Sequence, residues 1–447
     1  LQLSLPYFNF NFNDFKSKRA SYCANARGQR LNTRQGSLSL AFCHHFFVLL
    51  CSGHSLISFR ELVVPRVALE AVTKVFTARE GDAKCALSEV SLVIEERECL
   101  VIVGPSGSGK TTALRLIAGL EQPTSGSIFI GGKSMNGIPP KDRDVAMIFQ
   151  NPALYPHMSV RQNLAFGLRL RRWPRQEADA RVKAIAESLG LSSCLNSMPA
   201  SISGGQRQRI AIGRALVRHP GVLLLDEPLA NVDPPLRAQL RTEITALRKR
   251  FDTTIVYVTH DHLEAMLMGD RVGVLHEGVL QQVAEPLNLY RRPANLFVAT
   301  FIGYPPMNLL KGNLSREAGD LVFVGPEVKV PSSVSTPVGT LRLKVHPDQA
   351  PGLTGWINKP VVLGIRPEDV ACTPGTKTTS TMPGFVAKVL SIARTGAENL
   401  LSVSYGENSL AIRLSSTTSV AVGQEYGFTL DAQMASYFDP VSGRAII

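Results

Sequence analysis

Eight consecutive residues supply the first recognisable chemistry in the 447-residue chain: Gly104, Pro105, Ser106, Gly107, Ser108, Gly109, Lys110 and Thr111. Glycines at these spacings let successive backbone N–H groups wrap phosphate oxygens. A helix predicted to begin near Lys110 adds its positive end. The Lys110 ammonium then reaches the β- and γ-phosphates, the Thr111 hydroxyl serves Mg²⁺, and Thr112 continues the first helical turn. The pattern predicts a nucleoside triphosphate site. A second cluster, Leu223, Leu224, Leu225, Asp226, Glu227 and Pro228, ends an apolar run in two carboxylates. Neighbouring strand residues point to opposite faces, so the two acids take separate tasks. Asp226 is expected to hold Mg²⁺ through water. Glu227 is expected to orient or deprotonate the attacking water, a task worth about 10²–10⁴-fold in rate.

These residues need a scaffold that gathers strand ends. From residue 64 onward, apolar runs alternate with helical patterns, which implies a largely parallel sheet covered on both faces. Ligands of such sheets sit beyond the carboxyl ends of the strands. Four predicted strands end there in polar or glycine residues: 99–103 in Gly104, 145–149 in Gln150, 222–225 in Asp226 and Glu227, and 255–258 in Thr259 and His260. Taken singly, Gln150 and His260 read as satisfied polar groups; a shared sheet edge makes them candidates. Ser201, Ile202, Ser203, Gly204, Gly205, Gln206, Arg207 and Gln208 precede an apolar helix predicted over 210–217. Ser203 suits the N-cap of that helix, whose N-terminus is a second anion site.

In this order the motifs resemble those of the ATP-binding cassette ATPases. Residues 104–111 are similar to Walker A, Gln150 to the Q-loop, 202–206 to the signature, 223–227 to Walker B, 229–233 to the D-loop, and His260 to the switch histidine. The resemblance implies an α/β P-loop NTPase with a parallel-sheet core and antiparallel β and α-helical subdomains. It also implies a composite site, in which two copies pair head to tail with ATP between one Walker A and the other signature. Ser203, Gly204, Gly205 and Gln206 would then serve the partner's nucleotide, with Ser203 and Gly205 on the γ-phosphate. Asp233 would link the two sites, His260 would hold the γ-phosphate and water, and Gln150 would serve both the metal and catalysis. Phe76 resembles the aromatic that stacks on adenine, with core packing as the alternative. Ile202 stands where Leu is usual and Ala230 where Ser is usual; neither change removes a group needed for hydrolysis.

Residues 303–447 change texture. Short β-rich runs at 341–345, 361–365, 385–390, 400–403, 410–414 and 426–430 are separated by Gly, Pro and Thr stretches, as in a small β-barrel or sandwich; the family resemblance implies an OB-like or TOBE barrel. Residues 373–383 read as a polar loop, and nothing in this region reads as catalytic. Residues 364–370 and 438–443 resemble the accessory β-domain of maltose-type importer ATPases. Segments 139–144, 150–158, 290–297 and 301–308 resemble the same branch. Taken alone, Arg366, Pro367 and Glu368 suit an exposed turn with a local ion pair. The resemblance implies an ATP-hydrolysing homodimer of a carbohydrate importer, peripheral at the cytoplasmic face of the membrane. Two integral-membrane permease subunits would dock near Gln150–Met158, an extracytoplasmic solute-binding protein would act indirectly, and no nucleic acid would bind. Glycerol-phosphate, polyamine or ferric-iron import, or a soluble nucleic-acid-acting ATPase, are the alternatives.

Composition agrees. With 44% hydrophobic and 19% charged residues the chain is not a disordered one. Its length predicts two or three domains, and no run of about 20 apolar residues suggests a spanning helix. The net charge is +12, of which +5 falls in the first 63 residues. That stretch also holds three of the seven Cys and shows no sustained period, and no Met precedes Met135. It reads as a non-native or disordered extension, with translation expected to start near Val64. Cys85, Cys99, Cys194 and Cys372 lack metal-ligand spacing and read as reduced thiols. The expected plan is an extension over 1–63, a nucleotide-binding domain over 64–302 and a β-rich accessory domain over 303–447.

Overall fold

The computed structural model describes residues 2–5, 8–11, 67–77, 83–151, 153–230, 232–326, 341–373, 384–406 and 408–447. The chain forms two compact units, Leu1–Leu62 and Val63–Ile447. In the first, β1 (Gln2–Leu5) pairs antiparallel with β2 (Phe8–Asn11). Phe8, Asn9, Phe10 and Asn11 alternate strictly, a short strand signal. The rest of the expected extension lies outside the described residues.

In the second unit, β3 (Val67–Thr77) and β4 (Ala83–Ile94) form a long antiparallel pair. Then come β5 (Cys99–Val103) and α1 (Lys110–Ala118). Next, β6 (Ser125–Ile130) and β7 (Lys133–Ser134) join the first pair in an antiparallel sheet ordered β4-β3-β6-β7. β8 (Val145–Ile148) precedes three helices, α2 (Val160–Leu170), α3 (Arg175–Ser188) and α4 (Gly204–Leu216). The chain continues through β9 (Val222–Asp226), α5 (Pro234–Phe251), β10 (Thr254–Thr259), α6 (His262–Met268), β11 (Arg271–His276) and β12 (Val279–Ala284). Six strands form the central sheet in the order β12-β11-β5-β10-β9-β8. All neighbours in it are parallel except the β12 edge. β5, β9 and β10 are buried along their whole length, as continuous apolar runs in a sheet covered on both faces should be. The four predicted strand ends therefore meet along one edge, each within a residue of its expected position.

Helix α4 starts at Gly204, directly after the expected N-cap Ser203 and six residues before the apolar run at 210–217, so Gly204 and Gly205 lie inside it. The apolar period marked only the part of that helix that faces the core. α7 (Pro286–Arg291) and α8 (Leu296–Phe301) lead to β13 (Asn308–Glu317), β14 (Asp320–Val324), β15 (Arg342–Lys344), α9 (Ala350–Leu353), β16 (Pro360–Ile365) and β17 (Val370–Thr373). The last strands are β18 (Gly384–Arg394), β19 (Glu398–Tyr405), β20 (Asn408–Ser415), β21 (Glu425–Leu430) and β22 (Ser436–Phe438). They form two five-stranded antiparallel sheets, β15-β14-β13-β16-β22 and β17-β21-β18-β19-β20. Phe323, Phe385, Tyr405, Phe428 and Tyr437 fill the core of these strands. Each predicted β run is a strand, and residues 374–383 of the polar loop lie outside the described ones.

Arg366 is not part of an exposed turn. It is 3% exposed, and its guanidinium donates to the carbonyls of Ala299 (3.1 Å), Ile302 (2.5 Å) and Tyr290 (2.7 Å). It also stacks on the Tyr290 ring at 3.9 Å. The side chain thus ties α7 and α8 to the β16 end, using its planar fork rather than an ion pair.

Candidate functional site

The loop between β5 and α1 is shaped by contacts that exclude side chains. At Gly109, φ is +104°, and a Cβ would lie 2.3 Å from the Ala86 carbonyl oxygen. Only glycine takes that conformation at so close an approach. The Gly278 N–H donates to the Ser108 carbonyl at 3.0 Å, so the turn between β11 and β12 backs the loop. Lys110 is 5% exposed, and its ammonium donates to the carbonyls of Gly104 and Pro105, each at 2.8 Å. Burial pushes the Lys110 pKa down, opposed by the charges of Glu227 and Asp226.

Across the sheet edge, the Thr111 hydroxyl donates to Asp226 at 3.0 Å. Burial raises the Asp226 pKa; the Thr111 hydrogen bond opposes that shift, and Glu227 adds to it. Glu227 follows with a left-handed φ of +44°, a conformation that costs a non-glycine residue energy and clusters at functional sites. Its amide donates to the Val258 carbonyl at 3.0 Å, which fixes the turn to β10. The Glu227 carboxylate then meets both neighbours: Oε2 accepts from Gln150 Nε2 at 3.4 Å and lies 3.2 Å from His260 Nδ1. Lys110, Thr111, Asp226, Glu227, Gln150 and His260 are therefore brought to one edge.

The other candidates are placed differently. Ser203 caps α4, its hydroxyl accepting from the Gln206 amide at 3.2 Å while Gln206 Oε1 accepts from the Ser203 amide at 3.0 Å. This reciprocal box leaves Ser203 and Gly204 exposed at a helix N-terminus. Gly205 is buried, and a Cβ there would meet Leu236 of α5 at 2.3 Å. Asp233 is the exposed residue before α5. Among the described residues, no hydrogen bond or ion pair joins Ser203–Gln206 or Asp233 to residues 104–112, Asp226, Glu227 or His260. Phe76 is 39% exposed near the end of β3, with the Lys74 ammonium 4.7 Å from its ring centroid.

Two supporting groups escape a reading of motifs. Glu264, 4% exposed, accepts from the hydroxyls of Tyr257 at 3.0 Å and Thr259 at 2.9 Å. Burial, then the Glu264 charge, push the Tyr257 pKa well up. Arg237 donates to the Val232 carbonyl at 3.1 Å and stands 4.0 Å from both Asp261 and Glu264. This network braces the residues on either side of His260. Asn163 of α2 is fully buried, exchanging hydrogen bonds with the Tyr155 backbone and donating to the carbonyls of Met158 and Ser159. It shapes the loop after Gln150, whose Tyr155 ring lies 4.5 Å from Phe166. A polar residue at a core position of α2 was the available signal.

Comparison with known proteins agrees with this geometry. The family described as ABC transporter matches residues 87–230, and the MalK OB fold domain matches residues 303–370. The trehalose/maltose import ATP-binding protein MalK of Thermococcus litoralis is 44% identical over 370 residues, 81% of this chain and 95% of its own. The sn-glycerol-3-phosphate import ATP-binding protein UgpC of Burkholderia pseudomallei is 44% identical over 365 residues, 81% of this chain and 96% of its own. A solved dimeric ATP-binding cassette in a post-hydrolysis state, bound to ADP and Pi, is 30% identical with a TM-score of 0.45, covering 49% of this chain and 98% of that chain.

Proposed function

The chain belongs to the ABC transporter family, among its import ATP-binding subunits that hydrolyse ATP, and on that premise we propose that two copies close head to tail to complete each catalytic site. The observation that carries this reading is the division of the site residues. One set, from Lys110 to His260, converges on the Asp226 and Glu227 carboxylates. The other, Ser203–Gln206 and Asp233, is exposed elsewhere or turned to packing and makes no bond to the first. A second copy would bring its α4 N-terminus, with the Ser203 hydroxyl and backbone N–H groups, to the open side of the phosphate.

In this reading the N–H groups of residues 104–109 and the positive end of α1 hold the β- and γ-phosphates. Lys110 exchanges its two carbonyl partners for phosphate oxygens, which supply the negative charge its buried ammonium lacks. The Thr111 hydroxyl and an Asp226 oxygen form a hard-oxygen pair suited to Mg²⁺, which keeps most of its shell as water and phosphate. When bound, the ion would neutralise charge on the phosphates. Glu227 accepts the proton of the attacking water, while Gln150 and His260, already against its carboxylate, orient it. Phe76 offers a ring face to the adenine.

No described helix is long and apolar enough to cross a membrane, which is consistent with a peripheral subunit working on separate permeases. The loop of Tyr155–Met158, held by Asn163, is the surface proposed to receive them. The names of the two relatives support a sugar or glycerol-phosphate as solute, and we propose a carbohydrate. The test is reconstitution with a permease pair in vesicles. MgATP hydrolysis should rise when a binding protein loaded with a disaccharide is added; a rise only with glycerol-phosphate would reassign the solute.

A further inference from the structure

Between Asp144 and Glu177 the chain carries no acidic side chain but five arginines, Arg161, Arg169, Arg171, Arg172 and Arg175. The last four crowd the turn between α2 and α3. Arg172 takes a left-handed φ of +56°, so the chain reverses there and fans Arg171 and Arg172 outward. Arg169, Arg171, Arg172 and Arg175 are all exposed, and none makes an ion pair with a described residue. Arg218, after α4, adds to the same field: its pKa is lowered first by burial and then by the Arg171 charge, with the Asp144 carboxylate opposing. One exposed apolar group stands among these cations: Leu170 is 70% exposed, whereas Trp173 packs against the core with the Arg181 guanidinium 4.4 Å from its ring.

We propose that this arginine turn binds the anionic headgroup surface of a lipid bilayer. The four exposed arginines give this turn a positive surface that no ion pair with a described residue neutralises. A cluster of arginines with one exposed leucine suits a headgroup layer, where charge meets lipid phosphate and the leucine enters the boundary. Position supports the same partner and rests on the proposed docking of Tyr155–Met158 to a permease. That loop sits on the first half of α2, through Asn163 and Phe166. The arginine turn ends the same 11-residue helix, about 16 Å away at 1.5 Å per residue. A permease docked on the loop would thus sit on the same helix as the arginine turn, and the bilayer that holds the permease is the anionic surface the proposal assigns to that turn.

Each arginine near such a surface raises partition about five-fold. The test uses the full chain with phosphatidylcholine vesicles, with or without phosphatidylglycerol, and no permease present. Binding should require phosphatidylglycerol and weaken at high salt. It should fall more than about 100-fold in the variant R169Q/R171Q/R172Q/R175Q, since four losses of about five-fold multiply. MgATP hydrolysis in solution should be unchanged in that variant. Vesicle binding that survives the substitutions would assign it to other cations, such as those before residue 64, and overturn the proposal. Retention by duplex DNA instead of vesicles, lost in the same variant, would also overturn it in favour of nucleic acid. Absent hydrolysis in both proteins would count against the ATPase reading and leave the vesicle result to be judged by itself.

Discussion

At Glu227 the backbone is held in a left-handed conformation while the side chain is held between Gln150 and His260. An isosteric amide keeps that shape but cannot accept a proton. Glu227→Gln should bind MgATP with unchanged affinity and lose about 10²–10⁴-fold in turnover, measured by nucleotide binding and phosphate release. Lys110→Ala should weaken MgATP binding by more than about 10-fold, since charge-assisted bonds are worth about 1.5–3 kcal/mol; titration with a fluorescent ATP analogue checks this. Most of these residues were legible in the sequence because phosphate chemistry demands glycines, a lysine and paired acids at fixed spacing. Glu264 and Arg237 were not, since a buried carboxylate that braces a loop carries no local pattern. Arg366 was misread for a related reason: whether a guanidinium forms an ion pair or caps carbonyls depends on partners 64 to 76 residues away.

Among the elements, α1 matters most, because its N-terminus points at the proposed phosphate site and its C-terminus must be anchored. Arg143, 1% exposed, supplies the anchor, donating to the carbonyls of Leu116 and Ile117 at 2.8 Å, Ile138 at 2.9 Å and Met135 at 2.6 Å. Cations at a helix C-terminus are favourable, and four carbonyls would lose their partner together. Arg143→Met should cost about 2–4 kcal/mol of stability by denaturant titration and should weaken ATP binding as α1 loosens. Strand ends were legible to within a residue because apolar runs stop where the sheet does. So was the N-cap of α4, Ser203, although the apolar period marked only 210–217 and left the first six helical residues unmarked. β13, β14, β17 and β22 also went unread; each is short or mixed in polarity, and pairing with distant strands makes them β.

For the molecule as a whole, the tie between α7, α8 and the β-rich strands carries a pH dependence. Burial, then the charges of Glu368 and Asp431, push the Asp369 pKa from 3.8 up to about 6. Between those values the folded chain binds more protons at this residue than the unfolded chain does. Stability contributed here is therefore present below pH 4 and lost as pH rises through 6. Asp369→Asn removes the repelling charge, so it should raise the melting temperature at pH 7.5 and change it little at pH 4. A lowered melting temperature at pH 7.5 would show the carboxylate to be stabilising instead. The central claim, a site completed only by a second copy, is tested most directly by MgATP hydrolysis per chain as a function of protein concentration, with light scattering on the same samples. Turnover per chain should rise with concentration in step with ATP-dependent dimer formation, and Glu227→Gln should dimerise with ATP without turning over. Full turnover at dilutions where the protein stays monomeric would contradict the account.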